Sequence, residues 1–240
     1  MGRMRLYGFM TVKNEADIVA ESVTHNMRYL DALVVTDNGS DDGTWDILQD
    51  VAKQDSRVHL FRDDTPISTR VFRRSAMAVG RVGFRRRRGD WAVQCDCDEL
   101  HESDVRAVCE ASAGYDLIYG RKWNFILLPN TPTDGPARKR IRWYHPRPHV
   151  EHRAYRNPRW YYVRDVARRR GLKASDSFLD LAHYPYRSPE QVSARLATRH
   201  DAVKTYDLDW WRRSPLGVSS HTRGLAYRNP LDGWSPVEDG

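Results

Sequence analysis

Two rhythms of apolar residues alternate along the first hundred positions. Leu6-Tyr7-Gly8-Phe9-Met10-Thr11-Val12 is a short apolar run of strand length, and Lys13-Asn14-Glu15 follows as a turn. From Ala16 to Leu30 the apolar positions Ile18, Val19, Val23, Met27 and Leu30 recur at helical spacing. Ala32-Leu33-Val34-Val35-Thr36 reads as a second strand, and Asp37 to Thr44 is dense in turn formers. A helix is predicted from Thr44 to Gln54 with Trp45, Leu48 and Val51 inward. Val58 to Phe61 reads as a third strand, and Ile67 to Gly83 as a helix. Arg85-Arg86-Arg87-Arg88-Gly89-Asp90 leads into a fourth strand beginning at Trp91. Helices alternating with strands over short connections predict a parallel α/β sheet with right-handed crossovers.

The fourth strand carries an unusual ending. Trp91-Ala92-Val93-Gln94-Cys95 runs into Asp96-Cys97-Asp98-Glu99. Strand alternation puts Asp96 and Asp98 on one side and Cys97 on the other. Two such carboxylates repel unless they are solvated or share a cation or basic group.

Beyond Glu99 the pattern loosens. A helix is expected over Asp104 to Ala113, and strands over Asp116 to Tyr119 and Trp123 to Leu128. Pro129 to Arg140 reads as a polar loop. Trp143 to Arg170 is rich in aromatic residues, His and Arg, without a clear period. Leu179 to Ser188 reads as a strand entering a turn, and Ser188 caps a helix from Pro189 to about Lys204. With no internal repeat and no domain boundary, residues 1–205 read as one domain. Residues 206–240, with Trp210, Trp211 and Trp234, form a C-terminal tail.

Composition changes this picture in three places. The chain has 39 Lys and Arg against 32 Asp and Glu, a formal charge of +7. An Arg-dominated excess suits phosphate contacts, and it equally suits an Arg-biased genome. Cys95, Cys97 and Cys109 lack metal-site spacing. Their odd number, with no secretory signal, points to a reducing, cytoplasmic setting. No apolar run approaches the roughly 18 residues of a membrane span, which leaves peripheral membrane contact open.

Ligands of parallel α/β sheets bind beyond the carboxyl ends of the strands. Thr11 to Glu15, Asp37 to Thr44 and Asp96 to Glu99 all fall at such ends. Helix capping accounts for Ser40 or Asp41. Asp37 precedes the turn and is placed to accept hydrogen bonds from a base or ribose. No Gly-x-Gly-x-x-Gly follows the first strand and no Walker A sequence is present, which disfavours dinucleotide oxidoreduction and P-loop hydrolysis. A diphosphate bound without a phosphate loop needs a cation. Asp96 and Asp98 are suited to hold Mg²⁺ or Mn²⁺.

Three segments, Phe9 to Glu15, Val34 to Thr44 and Asp96 to Glu99, in this order and spacing, resemble the family 2 glycosyltransferases of GT-A fold. His152-Arg153-Ala154 and His183-Tyr184-Pro185-Tyr186-Arg187-Ser188 resemble the branch that is also similar to the family 92 enzymes. The resemblance covers about residues 5 to 190. It implies a GT-A, Rossmann-like, mostly parallel sheet flanked by helices, with an irregular C-terminal acceptor-side region. It also implies a nucleotide-sugar donor, UDP- or GDP-type, and a divalent metal. On the matching positions Thr11, Lys13 and Glu15 line the nucleoside pocket and Asp37 holds the base. Asp96 sits by the ribose and metal, and Asp98 is the main metal ligand. His183 contacts metal or phosphate, or is a satisfied strand-end histidine. Arg187 assists the leaving phosphates, or is a capped surface residue.

The implied reaction is transfer to an acceptor hydroxyl, inverting, with a carboxylate as base. The family's usual Glu-Asp pair is not in its usual place; Glu238-Asp239 lies at the extreme tail. Glu151, Asp165, Asp176 and Asp180 are the base candidates, with Glu99 a further one. The acceptor is open among a glycan, a lipid-linked saccharide, a protein side chain and a modified nucleic-acid base. Arg85 to Arg88 reads as a solvated helix end or as a contact for membrane or nucleic acid. Arg168-Arg169-Arg170 near Trp160, Tyr161 and Tyr162 fits single-strand binding or sugar stacking. Nucleotidyl transfer and a non-catalytic basic binding module are the rival readings.

Overall fold

The structure is a computed structural model that describes residues 3–85, 89–128, 130–161, 171–198 and 226–227. The chain divides into two compact units. The first comprises residues 1–122 and 150–181, the second residues 123–149 and 182–240.

The first unit is built on four parallel strands. β1 (Leu6–Val12), β2 (Ala32–Asp37), β3 (Val58–Arg62) and β4 (Trp91–Gln94) lie in the order β3-β2-β1-β4. β1 and β2 are buried at nearly every position, as expected of strands covered on both faces. The connecting helices are α1 (Val19–Asn26), α2 (Thr44–Gln54) and α3 (Thr69–Ala78). Ile18, Val19, Val23, Met27 and Leu30 are all buried, as the helical period requires. Of the three inward positions expected in α2, Leu48 is buried, while Trp45 and Val51 are half-buried. α3 packs Ala76 and Ala78 against Tyr7, Phe9, Ala32 and Val34, and Ser75 donates a hydrogen bond to the Met10 carbonyl. A Cβ at Gly8 would lie 2.5 Å from Leu30 and 2.7 Å from Leu33, so only glycine admits this close packing.

The later strands extend this sheet in antiparallel fashion. β5 (Glu99–His101) precedes α4 (Val105–Ala111), whose N-cap Asp104 accepts from the Arg106 and Ala107 amides. β6 (Leu117–Ile126) begins in the first unit, and β8 (His149–Tyr155) pairs with β4. β9 (Ala174–His183) pairs with β5 and β6.

Three expectations are corrected here. The fourth strand stops at Gln94; Asp96 and Asp98 lie in a turn closed by the Glu99 amide on the Asp96 carbonyl. Strand alternation therefore does not set their directions. The two strands expected around residues 116–128 are one strand, β6. Gly120, Arg121 and Lys122 look like a break, but Arg121 and Lys122 are held in ion pairs. The stretch from Trp143, which has no period, contains β7 (Trp143–Tyr144) and β8. The apolar rhythm of β8 is hidden because its buried centre is an arginine, Arg153.

In the second unit the last residues of β6 pair with β7, and β7 pairs with β10 (Ala226–Tyr227). Phe125, Tyr144 and Tyr184 stack at its core, with Phe125 ring centroids 5.2 and 4.8 Å from the other two. The short helix α5 is Ala137–Arg140, and α6 is Pro189–Thr198. Ser188 accepts from the Gln191 amide, so it caps α6 as the sequence implies. The tail expected at 206–240, the Arg86 to Arg88 run and Arg168 to Arg170 lie outside the described residues, save Ala226 and Tyr227.

Candidate functional site

The carboxyl ends of β1 and β2 are laced together before any ligand is considered. Asn14 adopts a left-handed φ of 55° at the turn after β1. Its amide donates to Ser40 Oγ, its side chain donates to Asp41, and it accepts from the Asp41 amide. The Glu15 amide donates to Thr44 Oγ1 and the Ala16 amide to Asp42. The α2 N-cap is Gly43, at φ 93°, without a side-chain cap bond. Ser40 and Asp41 thus tie two loops together, where the sequence suggested helix caps. Burial pushes the Asp42 carboxyl up, but the Thr44 hydroxyl and the Ala16 amide outweigh this and leave it below its ordinary value.

Asp37 ends β2, paired in register with Val12, and is fully buried. Its Oδ1 accepts from the Gly39 and Ser40 amides at 3.0 and 3.1 Å. Arg62 Nε is 3.6 Å from the same oxygen. The other oxygen, Oδ2, has no hydrogen-bond partner among the described residues. A buried, unpartnered carboxylate oxygen is costly, so its place at a ligand-binding strand end is informative. Nearby Thr11 is half-buried, Glu15 is buried and Lys13 is exposed.

After β4 a second constellation forms around Arg153. Its side chain is completely buried, and it meets Asp96 at 3.0 Å, Glu99 at 2.5 Å and Glu151 in a short ion pair. Lys122 adds a second cation, 3.2 Å from Glu99 and 2.9 Å from Glu151. Gly120 makes this possible, because a Cβ there would overlap the Arg153 stem. Burial would lower the Arg153 and Lys122 pKa values, but the surrounding carboxylates outweigh it and hold both cations protonated. Asp96 Oδ2 also accepts from Gln94. Asp96 therefore offers a ligand only its Oδ1, which carries no hydrogen bond or ion pair among the described residues. Asp98 is buried beside it in sequence, with a carboxylate oxygen within 4.8 Å of one from Glu99. The oxygen donors of Asp96, Asp98, Glu99 and Glu151 fit a hard divalent cation.

Asp180 gives both carboxylate oxygens to Arg121 at 2.8 and 2.9 Å. Asp176 is exposed and Asp165 lies outside the described residues. In the second unit His183 Nδ1 is 2.7 Å from Asn124 Oδ1. Arg187 is fully buried and donates to the Tyr184 carbonyl at 2.9 Å. Arg153 and Lys122 escape the sequence reading. Nothing in a β-strand pattern distinguishes a buried arginine from a solvated one.

Residues 9–111 match the family model described as Glycosyl transferase family 2. Over this segment the chain is similar to the family 2 glycosyltransferases. The matched segment includes Thr11, Asp37 and the Asp96 to Glu99 turn, and it stops short of Lys122, Glu151 and Arg153. No curated protein matches the chain. Solved structures similar to it include the mannosyltransferase PcManGT from Pyrobaculum calidifontis in complex with GDP-Man and Mn²⁺, at 15% identity and TM-score 0.48. That match covers 75% of this chain and 57% of the mannosyltransferase. HddC from Yersinia pseudotuberculosis matches at 10% identity and TM-score 0.41, covering 75% of this chain and 90% of HddC. GalNAc-T7 with UDP, GalNAc and Mn²⁺ matches at 10% identity and TM-score 0.48, covering 84% of this chain and 49% of that one. Among the described residues, no helix is long and apolar enough to cross a membrane. The chain's three cysteines are free and buried, and burial pushes the Cys109 thiol up to about 12.

Proposed function

We propose that this chain transfers a sugar from a nucleotide-diphosphate donor to an acceptor hydroxyl, with inversion and with a divalent metal, Mn²⁺ or Mg²⁺. The observation that carries the reading is the unpartnered Oδ2 of Asp37 at the end of β2. It is a fixed acceptor for a base N–H, of the uracil or the guanine kind. Thr11, Lys13 and Glu15 flank it as the nucleoside pocket. Asp96 directs its remaining oxygen to the ribose and metal side, and Asp98 is the principal metal ligand. The bound metal would neutralise the diphosphate as it departs. His183 and Arg187 stand as further metal and phosphate contacts.

Glu151 is the base we favour of the two sequence candidates in the Arg153 cluster, because its pairs with Lys122 and Arg153 both fall on Oε1. Glu99 is the weaker choice, since Lys122 and Arg153 take one of its oxygens each. Asp180 is a poor base because Arg121 occupies both of its oxygens. Asp165 stays a candidate on sequence alone. The acceptor is a glycan, a lipid-linked saccharide, a protein side chain or a modified nucleic-acid base. The resemblance to the family 92 branch belongs to this proposal, as does a cytoplasmic location.

The test is a thermal-shift panel of UDP- and GDP-linked sugars and free nucleoside diphosphates, with and without Mn²⁺. A matching nucleotide raises the melting temperature by mass action, and Mn²⁺ enhances the shift. Asp98→Ala removes the Mn²⁺ enhancement. If no nucleotide stabilises the protein, or if Asp98→Ala responds as the parent does, the reading fails.

A further inference from the structure

The surface of α3 has no place in the transfer reaction, and its composition is one-sided. Residues 66–89 contain eight arginines and no aspartate or glutamate. Arg70, Arg73, Arg74 and Met77 follow at i, i+3, i+4 and i+7, so they share one helical face. All four are exposed, while Val71, Ser75, Ala76 and Ala78 on the other side are buried. Arg81 and Arg85 continue the exposed basic surface past the helix end. Arg74 pairs with Asp63 at 2.7 Å. Arg70 and Arg73 have no carboxylate partner among the described residues.

Apolar groups are set among these charges. Met77 is 40% exposed, and Ile67, just before the helix, is 53% exposed. Beside Met77 a cavity of about 330 Å³ opens between α3 and the sheet edge at β3, lined by Thr36, Phe61, Arg62, Asp63, Met77 and Arg81 among others. Arg81 lies over the Phe61 ring, 5.4 Å from its centroid.

We propose that the outward face of α3, with Ile67 and the adjoining cavity, is a docking surface for an anionic lipid bilayer. The arginines meet lipid phosphates, and Met77 and Ile67 enter the boundary between headgroups and acyl chains. Nucleic acid would use the same charges, but single strands are held by stacking on exposed aromatic rings. This face presents none: Phe61 is covered by Arg81, and Phe72 is half-buried. Exposed Met and Ile serve no phosphate contact, whereas they suit an acyl boundary. The inference is independent of the transferase reading, since membrane docking is measured without donor or acceptor.

Co-sedimentation of the full chain with vesicles tests it, using phosphatidylcholine alone or mixed with phosphatidylglycerol. The parent binds the mixed vesicles, spares the neutral ones, and loses binding as salt rises. Each arginine neutralised near the surface lowers partitioning about fivefold, so the double variant Arg70→Gln/Arg73→Gln falls roughly 25-fold. Both side chains are exposed, so the variant's melting temperature stays near the parent's, and the Arg→Lys pair restores binding. Met77→Ser weakens vesicle binding and leaves binding to a single-stranded oligonucleotide unchanged. Three outcomes overturn the proposal: the parent ignores anionic vesicles at low salt, the double variant binds them like the parent, or Met77→Ser binds vesicles like the parent while the double variant loses oligonucleotide and vesicle together. The last would assign the surface to nucleic acid.

Discussion

Strands β2 and β4 each have an aspartate near both ends, and the two ends treat it differently. At the amino ends Asp31 and Asp90 both brace the sheet, and Asp90 does so with both oxygens. Asp90 accepts from the Arg5 and Arg85 amides, one on each oxygen, and is completely buried. Asp31 accepts from the Leu6 amide and from Arg106. Burial pushes the Asp31 carboxyl up, but these donors outweigh it and hold it below its ordinary value. At the carboxyl ends Asp37 and Asp96 each keep one oxygen without a partner. The same residue type thus stitches the sheet at one end and faces a ligand at the other. What separates buried Asp90 from buried Asp37 is whether both carboxylate oxygens are answered among the described residues.

The two carboxyl-end aspartates also differ from each other. Asp37 is held by backbone amides of its own loop, with Arg62 Nε 3.6 Å from the same oxygen. Asp96 is held by Arg153, a charge delivered by β8 from far along the chain. Removing that charge is the harshest way to break the comparison. Arg153→Met leaves Asp96, Glu99 and Glu151 with Lys122 alone, and we expect a loss of roughly 3–5 kcal/mol in urea unfolding. Adding Glu99→Gln recovers part of it. An Arg153→Met protein as stable as the parent would mean that the cluster is solvated and does not hold Asp96.

Next in size is Asp90→Ala. It strands two buried amide donors, so a loss of about 2–4 kcal/mol is expected, with nucleotide affinity unchanged in the folded fraction. Asp37→Asn inverts that pattern. The amide oxygen still accepts from Gly39 and Ser40, but an NH₂ group replaces the unpartnered acceptor. Nucleotide affinity measured by calorimetry falls roughly 10- to 100-fold, an effect of about 1.5–3 kcal/mol, and stability hardly changes. If Asp37→Asn instead destabilises the protein and binds nucleotide normally, the two ends of β2 are alike and the distinction fails.

The parallel half of the fold is legible in sequence because its strands are covered on both faces. Their apolar runs are continuous, and helical periods separate them. The strand ends bearing Thr11, Asp37 and Asp96 follow from that order alone. What the pattern hides are residues whose burial is electrostatic. Arg153 occupies the centre of β8, and Lys122 and Arg121 occupy β6, where a reading by hydropathy sees breaks. Gly120 reads as a break in a strand, yet in space it is the hole that admits the Arg153 stem. The Asp96 to Glu99 turn is misread for a related reason. A carboxylate on a strand and one in a turn look the same until the hydrogen bond from the Glu99 amide to the Asp96 carbonyl is seen. The charges around the site were therefore not available from the acidic motif, because Arg153 and Glu151 come from β8, which pairs with β4, and Lys122 from β6 beyond it.

The smallest predicted effect asks which group makes the carboxyl end of β4 sensitive to acid. His101 on β5 is buried, with Nε2 3.2 Å from the Gln94 carbonyl. Burial, reinforced by the positive charge of Arg153, lowers its pKa from 6.5 to about 3. The folded protein therefore keeps His101 neutral where the unfolded chain protonates it. Stability from this residue is whole above pH 6.5 and is lost progressively as pH falls toward 3. Between pH 7 and 5.5 the loss is about 1 kcal/mol, since a one-unit gap between the two states is worth about 1.4 kcal/mol. His101→Gln can still donate to the Gln94 carbonyl but does not titrate. Urea unfolding of parent and variant across this window should give curves that converge as pH falls. Parallel curves would assign the acid sensitivity to the carboxylates themselves, and Asp37 and Asp96 would then be contributors to folding as much as to binding.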